Sequence, residues 1–296
     1  MQVRRKILVT GANGLLGRHT VAALQHKHQV CAVVRETLDI DKKLDNVVYY
    51  PIDFATNWTL RDLPDAVDVI VHLAQSIHFR EFPGKTTNIF KVNIESTARL
   101  LDYALHANAK RFIYASSGGI YGKGSIKFHE NSSIAQHQNL GYYLGSKLCG
   151  ETLAQSYSSL VDVTILRPFF MYGLRQRRSM LIPRLIDSVR LGRPITLQGE
   201  EGIQINPVHV KDAVSVIEKC LSLSGSQTLN VAGSDILSIK EISKLIAKLT
   251  GKKVCFEKAD GAAQDLIGDN ELMRALLNKD LISLENGLLE MVQGQP

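Results

Sequence analysis

The chain has 296 residues, of which 45% are hydrophobic and 22% charged, and its formal net charge is +6. This composition indicates a globular protein with one large domain or two unequal ones and argues against disorder. The 35 lysines and arginines are spread among 29 acidic residues, which argues against nucleic-acid binding and suits a small anionic substrate better. No apolar run approaches the roughly 18 residues of a membrane span, and no export signal precedes the first predicted strand.

Four cysteines are far apart in the sequence and form no C-x-x-C pair: Cys31, Cys149, Cys220 and Cys255. Such spacing is typical of reduced, packed thiols, so we expect a cytoplasmic protein. The histidines show no H-E-x-x-H or similar ligand spacing, and we therefore expect no metal site.

A glycine-rich turn follows the first predicted strand. The strand is an apolar run from Lys6 to Thr10, and a helical pattern begins at Thr20. Between them, Gly11, Gly14 and Gly17 would allow a tight turn, close approach of a pyrophosphate, and close packing of helix on strand. This context favours dinucleotide binding, although a glycine turn without a ligand is the alternative interpretation.

The end of the second predicted strand, Val30 to Val34, bears on the choice of cofactor. An acidic residue there would bind the 2′-hydroxyl of NAD, whereas a guanidinium suits the 2′-phosphate of NADP. The residue is Arg35, so we expect NADP or NAD, with NADP slightly favoured; a solvated Arg35 would leave the pocket indifferent. A third strand, Val47 to Ile52, ends at Asp53, which is suited to accept a hydrogen bond from the adenine amino group.

Further apolar runs alternate with helical patterns along the chain. Val67 to Leu73 and Arg111 to Ala115 predict two more strands, and Phe90 to Ala107 predicts the longest helix before the fifth strand. Continuous apolar strands of this kind are typical of a parallel sheet covered on both faces. We therefore predict an α/β fold with a doubly wound, Rossmann-like parallel sheet and a smaller C-terminal region.

Candidate catalytic residues begin where the fifth strand ends, at the sheet edge where open α/β folds bind ligands. Ser117 follows that strand, and Tyr143 and Lys147 lie four residues apart in a helical pattern. This spacing places a phenol and an ammonium group one turn apart on the same helix face, where the cation would lower the tyrosine pKa. Taken alone, the pair is more often an exposed tyrosine beside a solvated lysine.

Several motifs then occur in an order that resembles one known family. These motifs are Gly11-x-x-Gly14-x-x-Gly17, Asp53, His72-Leu73-Ala74, Asn93, Ser116-Ser117, Tyr143-x-x-x-Lys147, Leu166-Arg167-Pro168, and Pro207-Val208-His209-Val210-Lys211-Asp212. Together they resemble the extended short-chain dehydrogenase/reductase family, in its nucleotide-sugar epimerase/dehydratase branch. The resemblance covers almost the whole chain.

The resemblance implies a dinucleotide-binding domain over residues 1–168 plus about 203–232, and a substrate-binding region over 169–202 and 233–296. It implies strands at Val163 to Arg167 and Ile205 to Val210, the latter returning to the first domain ahead of a helix at Val214 to Leu223. It also implies a homodimer that pairs through Phe90 to Ala107 and Tyr142 to Tyr157.

The resemblance also assigns roles to residues. Tyr143 is the acid/base, Lys147 holds the nicotinamide ribose, and Ser117 binds the reacting oxygen. The expected cofactor-binding residues are Gly11, Asn13, Gly14, Leu15, Gly17, Arg35, Asp53, Leu73, Ala74, Tyr143 and Lys147. The expected substrate-binding residues are His78, Ser117, Arg175 and Arg177.

Three functions remain open at this stage. We expect an NAD(P)-dependent epimerase that acts at C4 of a nucleotide sugar through a transient keto intermediate. The first alternative is an NADPH-dependent reductase of a 4-keto nucleotide sugar or a related carbonyl, and the second is a non-catalytic dinucleotide sensor. Dehydration is disfavoured, because dehydratases of the family carry an Asp-Glu pair where this chain has Gly118 and Gly119.

Overall fold

The computed structural model describes residues 4–35, 44–124, 126–261 and 263–294. The chain forms two compact units, each built from separated stretches. The first unit comprises Met1–Ile120, Gln136–Arg167 and Val214–Leu229, and the second comprises Tyr121–Ala135, Pro168–Ala213 and Asn230–Pro296. These limits differ from the predicted functional domains mainly at 121–135 and 203–213, and the predicted division into cofactor and substrate regions stays a prediction.

The strands and helices alternate through most of the chain. The strands are β1 Lys6–Thr10, β2 Gln29–Val34, β3 Val47–Pro51, β4 Val69–His72, β5 Arg111–Ala115, β6 Asp162–Pro168, β7 Ile195–Gln198, β8 Gln204–Ile205, β9 Gln227–Val231, β10 Leu237–Ser238 and β11 Phe256–Ala259. The helices are α1 Leu15–Leu24, α2 Thr86–Phe90, α3 Ser96–His106, α4 His137–Ser156, α5 Leu181–Arg190, α6 Val210–Cys220, α7 Ile239–Thr250, α8 Glu271–Leu277 and α9 Leu284–Gln293.

Seven strands form one sheet in the order β3-β2-β1-β4-β5-β6-β9. Its central pairings, from β3 to β6, are all parallel. The strand order reverses direction between β1 and β4, which is where ligands bind in doubly wound sheets. The predicted fold class, a Rossmann-like parallel sheet flanked by helices, is confirmed.

Two helices near that point depart from regular α geometry. A π-type turn over Lys91–Glu95 joins α2 to α3, so the helix predicted to start at Phe90 begins earlier and widens in its middle. Helix α4 is interrupted at Gly141, whose φ of 65° is left-handed. Wide turns of this kind are frequent at functional sites because they redirect single side chains.

Close packing of α4 on β5 depends on one glycine. A Cβ atom at Gly150 would lie 2.0 Å from the hydroxyl oxygen of Tyr114, a side chain that is almost completely buried. Any larger residue at position 150 would push the helix off the strand. The glycine therefore fixes the height of α4 above the sheet.

One expectation for the later part of the chain is wrong. The run from Ile205 to Val210 does not form a strand of the large sheet. Gln204–Ile205 pairs antiparallel with β10, and His209 makes an isolated parallel bridge to Tyr172. Pro207 cannot donate to a strand ladder, and helix α6 begins as early as Val210. The seventh strand of the large sheet is instead β9, which the predictions missed.

The polar residues of β9 explain that omission. Its sequence, Gln-Thr-Leu-Asn-Val, lacks a continuous apolar run, yet Asn230 is fully buried. Its amide donates to the Phe128 carbonyl at 2.8 Å and accepts from the Tyr121 hydroxyl at 2.9 Å.

Among the described residues, no helix is both long and apolar enough to span a membrane.

Candidate active site

The glycine turn after β1 packs tightly against neighbouring backbone. Gly11 has a φ of 64°, and a Cβ atom there would lie 2.8 Å from the backbone of Ala74. A Cβ atom at Gly17 would lie 2.2 Å from the Gly11 carbonyl oxygen. Helix α1 then begins at Leu15, with Gly14 at its N-cap and no side chain capping it. Backbone N–H groups at such a helix start suit the pyrophosphate of a dinucleotide, so the residues present fit this cofactor.

A buried hydroxyl joins this turn to the end of β4. The Oγ1 atom of Thr10 accepts hydrogen bonds from the backbone N–H groups of Leu73 and Ala74, each at 3.2 Å. Because both acceptor positions of the hydroxyl are occupied, its own proton points to the Nδ1 atom of His72, 2.7 Å away. Hydrogen bonds through Thr10 therefore connect the glycine turn to Leu73 and Ala74, the predicted cofactor contacts after β4.

The hydrogen bonds continue through His72 in one direction. Its Nε2 atom, which must carry the ring proton, donates to the Thr97 hydroxyl at 3.0 Å, and Thr97 donates to the Asn93 carbonyl at 2.8 Å. Burial lowers the pKa of His72 to about 3, and the charge of Lys147 lowers it further. His72 is therefore a neutral imidazole with one fixed tautomer.

Asn93 carries the connection from the π-type turn to helix α4. Its side chain accepts from the Ser76 N–H at 2.9 Å and donates to the Ser146 hydroxyl, also at 2.9 Å. Ser146 in turn donates to the Tyr143 carbonyl at 2.7 Å. The backbone of the predicted acid/base is thus tied by hydrogen bonds to the segment after β4.

The three predicted catalytic residues come together at the carboxyl end of β5. The Ser117 hydroxyl is a hydrogen-bond partner of the Tyr143 phenol. Lys147, one turn along α4 from Tyr143, is buried, and its ammonium donates to the Ala115 carbonyl at 2.8 Å. The phenol is half-buried, so a hydroxyl, a phenol and an ammonium group line one small region.

The causes of the Tyr143 pKa differ from the sequence-based expectation. Burial dominates and raises the pKa of Tyr143 to about 12, while the Ser117 hydrogen bond and then the charge of Arg80 lower it. Lys147 is not among these groups, because its ammonium is turned to the Ala115 carbonyl. The chain alone therefore holds Tyr143 as a neutral phenol at pH 7.

Lys147 itself has a lowered pKa. Burial brings it to about 8, and the carboxylate of Glu151, one further turn along α4, raises it. Glu151 is held by the guanidinium of Arg167 through two hydrogen bonds of 3.0 and 2.7 Å. Both side chains of this ion pair are nearly buried, so Arg167 holds the Glu151 carboxylate in a fixed position near Lys147.

Two glycines follow Ser117 and leave no acidic group beside it. Gly119 donates its N–H to the Ser117 hydroxyl at 3.2 Å. A Cβ atom at Gly119 would lie 2.9 Å from a methyl group of Leu144 and 3.3 Å from Ser117 Oγ. A carboxylate at this position would therefore crowd the serine, and Gly118 supplies none.

Arg35 and Asp53 lie on neighbouring strand ends, as expected for one binding region. Arg35 is exposed directly after β2, and the Ile52 N–H donates to the Val34 carbonyl at 2.8 Å. One carboxylate oxygen of Asp53 accepts from the Ala55 N–H at 2.9 Å, so the side chain also shapes its own turn. Arg18 donates to the carbonyls of Asn13 and Gly14, which places it on the glycine turn.

The predicted substrate-binding residues fall in different units. His78 belongs to the first unit and contacts the Glu81 carboxylate at 2.8 Å. Arg175 and Arg177 belong to the second unit and are exposed, and Arg175 has a φ of 63°. Their roles toward a substrate stay predictions. No cluster of three metal-ligating side chains occurs among the described residues.

The sequence-based predictions assigned no role to Gln75, although its side-chain carbonyl accepts from the Tyr143 hydroxyl at 3.0 Å. They also gave no role to Glu151. Its position four residues after Lys147 was a usable signal, because i and i+4 residues share a helix face. For Gln75 no spacing rule exists, since a loop and a helix bring the two residues together.

The glycine cradle, the reversal of strand order and the Ser117, Tyr143 and Lys147 cluster define an extended short-chain dehydrogenase/reductase. The profile of the NAD-dependent epimerase/dehydratase family matches residues 7–232, and the chain belongs to this family. The predicted recognition is confirmed, and the chain is an NAD-dependent enzyme of the nucleotide-sugar epimerase/dehydratase branch.

Similar proteins include several sugar-nucleotide epimerases. The uncharacterized UDP-glucose epimerase YtcB of Bacillus subtilis (strain 168) is 30% identical, with 96% of this chain and 95% of the relative covered. The UDP-glucuronate 4-epimerase of Thermodesulfobacterium geofontis (strain OPF15) is 27% identical, covering 85% of this chain and 80% of the relative. The crystal structure of UDP-glucuronic acid 4-epimerase from Bacillus cereus, in complex with UDP-glucuronic acid and NAD, superposes with a TM-score of 0.85 at 25% identity, covering 97% and 98% of the two chains. These relatives favour the predicted epimerase over the reductase and the sensor.

Proposed function

We propose that this enzyme inverts the configuration at C4 of a UDP-sugar through a 4-keto intermediate. The observation that carries the proposal is the cluster of Ser117, Tyr143 and Lys147 beside a glycine cradle that fits a dinucleotide. Relatives that are named as 4-epimerases or UDP-glucose epimerases, one of them crystallised with UDP-glucuronic acid and NAD, support both the reaction and the uridine nucleotide.

In this reaction Tyr143 removes the proton of the C4 hydroxyl and later returns it to the same oxygen, as C4 is reduced on the opposite face of the sugar. The bound dinucleotide supplies the oxidising and reducing equivalents. Ser117 donates a hydrogen bond to the reacting oxygen and so holds it near the phenol. Lys147 supplies a positive charge one helical turn away, which favours the phenolate whenever the ammonium turns from the Ala115 carbonyl toward the site.

The neutral resting state of Tyr143 fits this sequence of steps. Burial raises the pKa of Tyr143 to about 12, so the phenolate needs additional positive charge to form near neutral pH. Lys147 and the positive charge of an oxidised nicotinamide are the groups that would provide it. In this proposal the Tyr143 side chain acts as a base when the bound cofactor is in its oxidised form.

Dehydration is excluded from the proposal by the residues after Ser117. That reaction needs acidic groups for C5 and C6 of the sugar, and Gly118 and Gly119 offer none. A net reduction would use the same three residues once and consume the cofactor. We therefore infer that the two half-reactions are coupled on the enzyme, so that the C4 hydroxyl is oxidised to a ketone and the ketone is reduced again without net cofactor turnover.

The cofactor preference is a finer part of the proposal. NAD is the cofactor in the structure of the Bacillus cereus relative. The exposed guanidinium of Arg35 at the end of β2 suits a 2′-phosphate, so we propose that this chain accepts NADP as well as NAD, with NADP slightly favoured. Titration with each dinucleotide tests this preference, and the Arg35→Asp variant should bind NAD more tightly than NADP.

Further parts of the proposal concern substrate binding, assembly and location. We propose that Arg175 or Arg177 binds the diphosphate, so that alanine at either position raises KM more than it lowers kcat. We also propose a cytoplasmic homodimer that pairs through α3 and α4. These helices pack together in the first unit and carry the exposed side chains of Leu105 and Cys149. A monodisperse monomer at micromolar concentration in solution scattering would overturn the dimer.

A panel of UDP-, dTDP-, GDP- and CDP-sugars tests the reaction. Product analysis by chromatography and nicotinamide absorbance are recorded together for the purified chain and for the Tyr143→Phe variant. We expect an epimeric UDP-sugar without net change at 340 nm, and a loss of about a hundredfold or more in the variant. Stoichiometric NAD(P)H consumption would indicate a reductase, and no conversion of any sugar nucleotide would favour a dinucleotide sensor.

A further inference from the structure

We propose that Gln75 is a positioning residue for Tyr143, holding its hydroxyl in both the phenol and the phenolate state. This inference rests on the epimerase proposal and deepens it, because a reaction that takes and returns a proton at one atom uses both states of the phenol within a single turnover. The sequence motifs did not indicate this role.

The contact places Gln75 directly at the reacting atom. The Tyr143 hydroxyl donates to Gln75 Oε1 at 3.0 Å, and both side chains are partly buried. The same phenol oxygen is a partner of the Ser117 hydroxyl. A serine hydroxyl and a carboxamide therefore meet at one oxygen, and the carboxamide is the group that accepts the phenolic proton.

The carboxamide can serve either protonation state. Its carbonyl oxygen accepts from a neutral phenol, and its NH₂ group, after a half-turn about the last side-chain torsion, donates to a phenolate. A carboxylate could only accept, and an aliphatic side chain could do neither. Glutamine therefore lets the proton leave and return while the ring stays in place.

Neighbouring segments restrict the positions of both partners. Gln75 immediately precedes Ser76, whose N–H and hydroxyl are bonded to Asn93 and Asn88 at 2.9 and 2.6 Å. On the other side, the ring of Phe79 packs on Tyr143 with centroids 4.9 Å apart. The hydrogen bonds of Ser76 hold the main chain next to Gln75, and Phe79 packs against the ring of Tyr143. We infer that the contact between Gln75 and Tyr143 changes mainly by rotation of the Gln75 amide.

The ionisable groups near Tyr143 come from three elements. Arg80 follows Phe79 in the loop after β4, Tyr114 lies on β5, and Lys147 lies on α4 itself with its ammonium directed to the Ala115 carbonyl. None of them is altered when position 75 is changed. A change in the titration of Tyr143 on substitution of Gln75 therefore reports the contact itself.

The first test follows the ionisation of Tyr143 directly and needs no turnover. Tyrosine labelled with ¹³C at Cζ is incorporated, and the Tyr143 resonance is assigned as the one missing from Tyr143→Phe. The titration is recorded with NAD bound, because the positive charge of the oxidised nicotinamide should lower the Tyr143 midpoint from about 12. In Gln75→Glu, the added carboxylate should move this midpoint upward by roughly one pH unit or more. The control Gln138→Glu makes the same change at an exposed position of α4 and should leave the midpoint where it is.

The second test removes the hydrogen bond without adding charge. Gln75→Met keeps the side-chain length, and it should change the neutral-pH Cζ shift of Tyr143 and lower kcat about tenfold while KM stays close to its original value. Gln75→Asn should restore part of the rate.

Failure of the two proposals can be told apart. If Gln75→Glu titrates like Gln138→Glu and Gln75→Met keeps the original Cζ shift, Gln75 does not position the phenol. If the resonance responds as expected but no sugar nucleotide is converted, the contact is correct and the epimerase proposal is wrong.

Discussion

Replacing His72 with glutamine should make the first unit less sensitive to acid. His72 is buried at the end of β4 and accepts the Thr10 hydroxyl proton at Nδ1, so protonation would break that bond and place a charge in the core. Its pKa falls from 6.5 to about 3 on folding. Between these two values the unfolded chain binds one proton more than the folded chain, and stability therefore decreases as the pH falls.

The size of the effect follows from the pKa difference. One proton of difference changes the free energy of unfolding by about 1.4 kcal/mol per pH unit, so lowering the pH from 7.5 to 4.5 costs about 3 kcal/mol at this one site. Glutamine offers an acceptor to Thr10 and a donor to Thr97 but does not titrate. Its variant should start less stable at pH 7.5 and lose about 3 kcal/mol less on acidification.

Urea unfolding followed by tryptophan fluorescence measures this difference. The chain has one tryptophan, Trp58, which is buried in the apolar core of the first unit and therefore reports on that unit. His26→Gln changes an exposed histidine of the same unit and should keep the original pH dependence. If His72→Gln and the unaltered chain lose stability in parallel between pH 7 and 4.5, the neutral, hydrogen-bonded imidazole is the wrong description.

Three further predictions concern the cradle, the ion pair and the lysine. In Gly17→Ala the added Cβ would lie 2.2 Å from the Gly11 carbonyl oxygen, so dinucleotide binding should become unmeasurable in a fluorescence titration and urea unfolding should show a loss of about 1–3 kcal/mol. As the control, Gly145→Ala adds a Cβ that meets no atom outside its own helix within 4 Å and should not lower the stability. Arg167→Met leaves the buried Glu151 carboxylate without its partner and should lower the free energy of unfolding by about 3–5 kcal/mol. The double variant Arg167→Met with Glu151→Met should recover most of this loss. Equal losses in the single and double variants would contradict an ion-pair origin. The pKa of Lys147 is about 8, so kcat should fall above about pH 8 as the ammonium loses its proton. Because Glu151 raises this pKa, Glu151→Gln should move the fall in kcat to lower pH in steady-state profiles. If the fall stays at the same pH, another group controls it.

Much of the first unit is legible in the sequence, since apolar runs marked β1 to β6 and glycine spacing marked the turn. Local patterns carry such information because buried parallel strands need continuous apolar residues. Position 230 shows the limit: Asn230 reads as a loop or edge residue, and only the carbonyl of Phe128, about a hundred residues away, makes it a core residue.

The candidate site follows the same division. Tyr143 and Lys147 could be paired from helical periodicity, and Ser117 from its place after a strand. The direction of the Lys147 ammonium could not be inferred, because the competing Ala115 carbonyl belongs to another element. The contact between Gln75 and Tyr143 likewise depends on how a loop meets a helix, for which the sequence offers no periodic signal.

The missing side chain at residue 150 has a consequence for anyone who recombines this enzyme with its relatives. Tyr114 fills the space that a β-carbon at residue 150 would need, so this strand cannot accept a helix from a relative that carries a larger residue there. A chimera that joins such a helix to this strand would displace Tyr143 and Lys147, because both lie on that helix. For parents that differ at either position, crossover points therefore belong before Tyr114 or after Gly150.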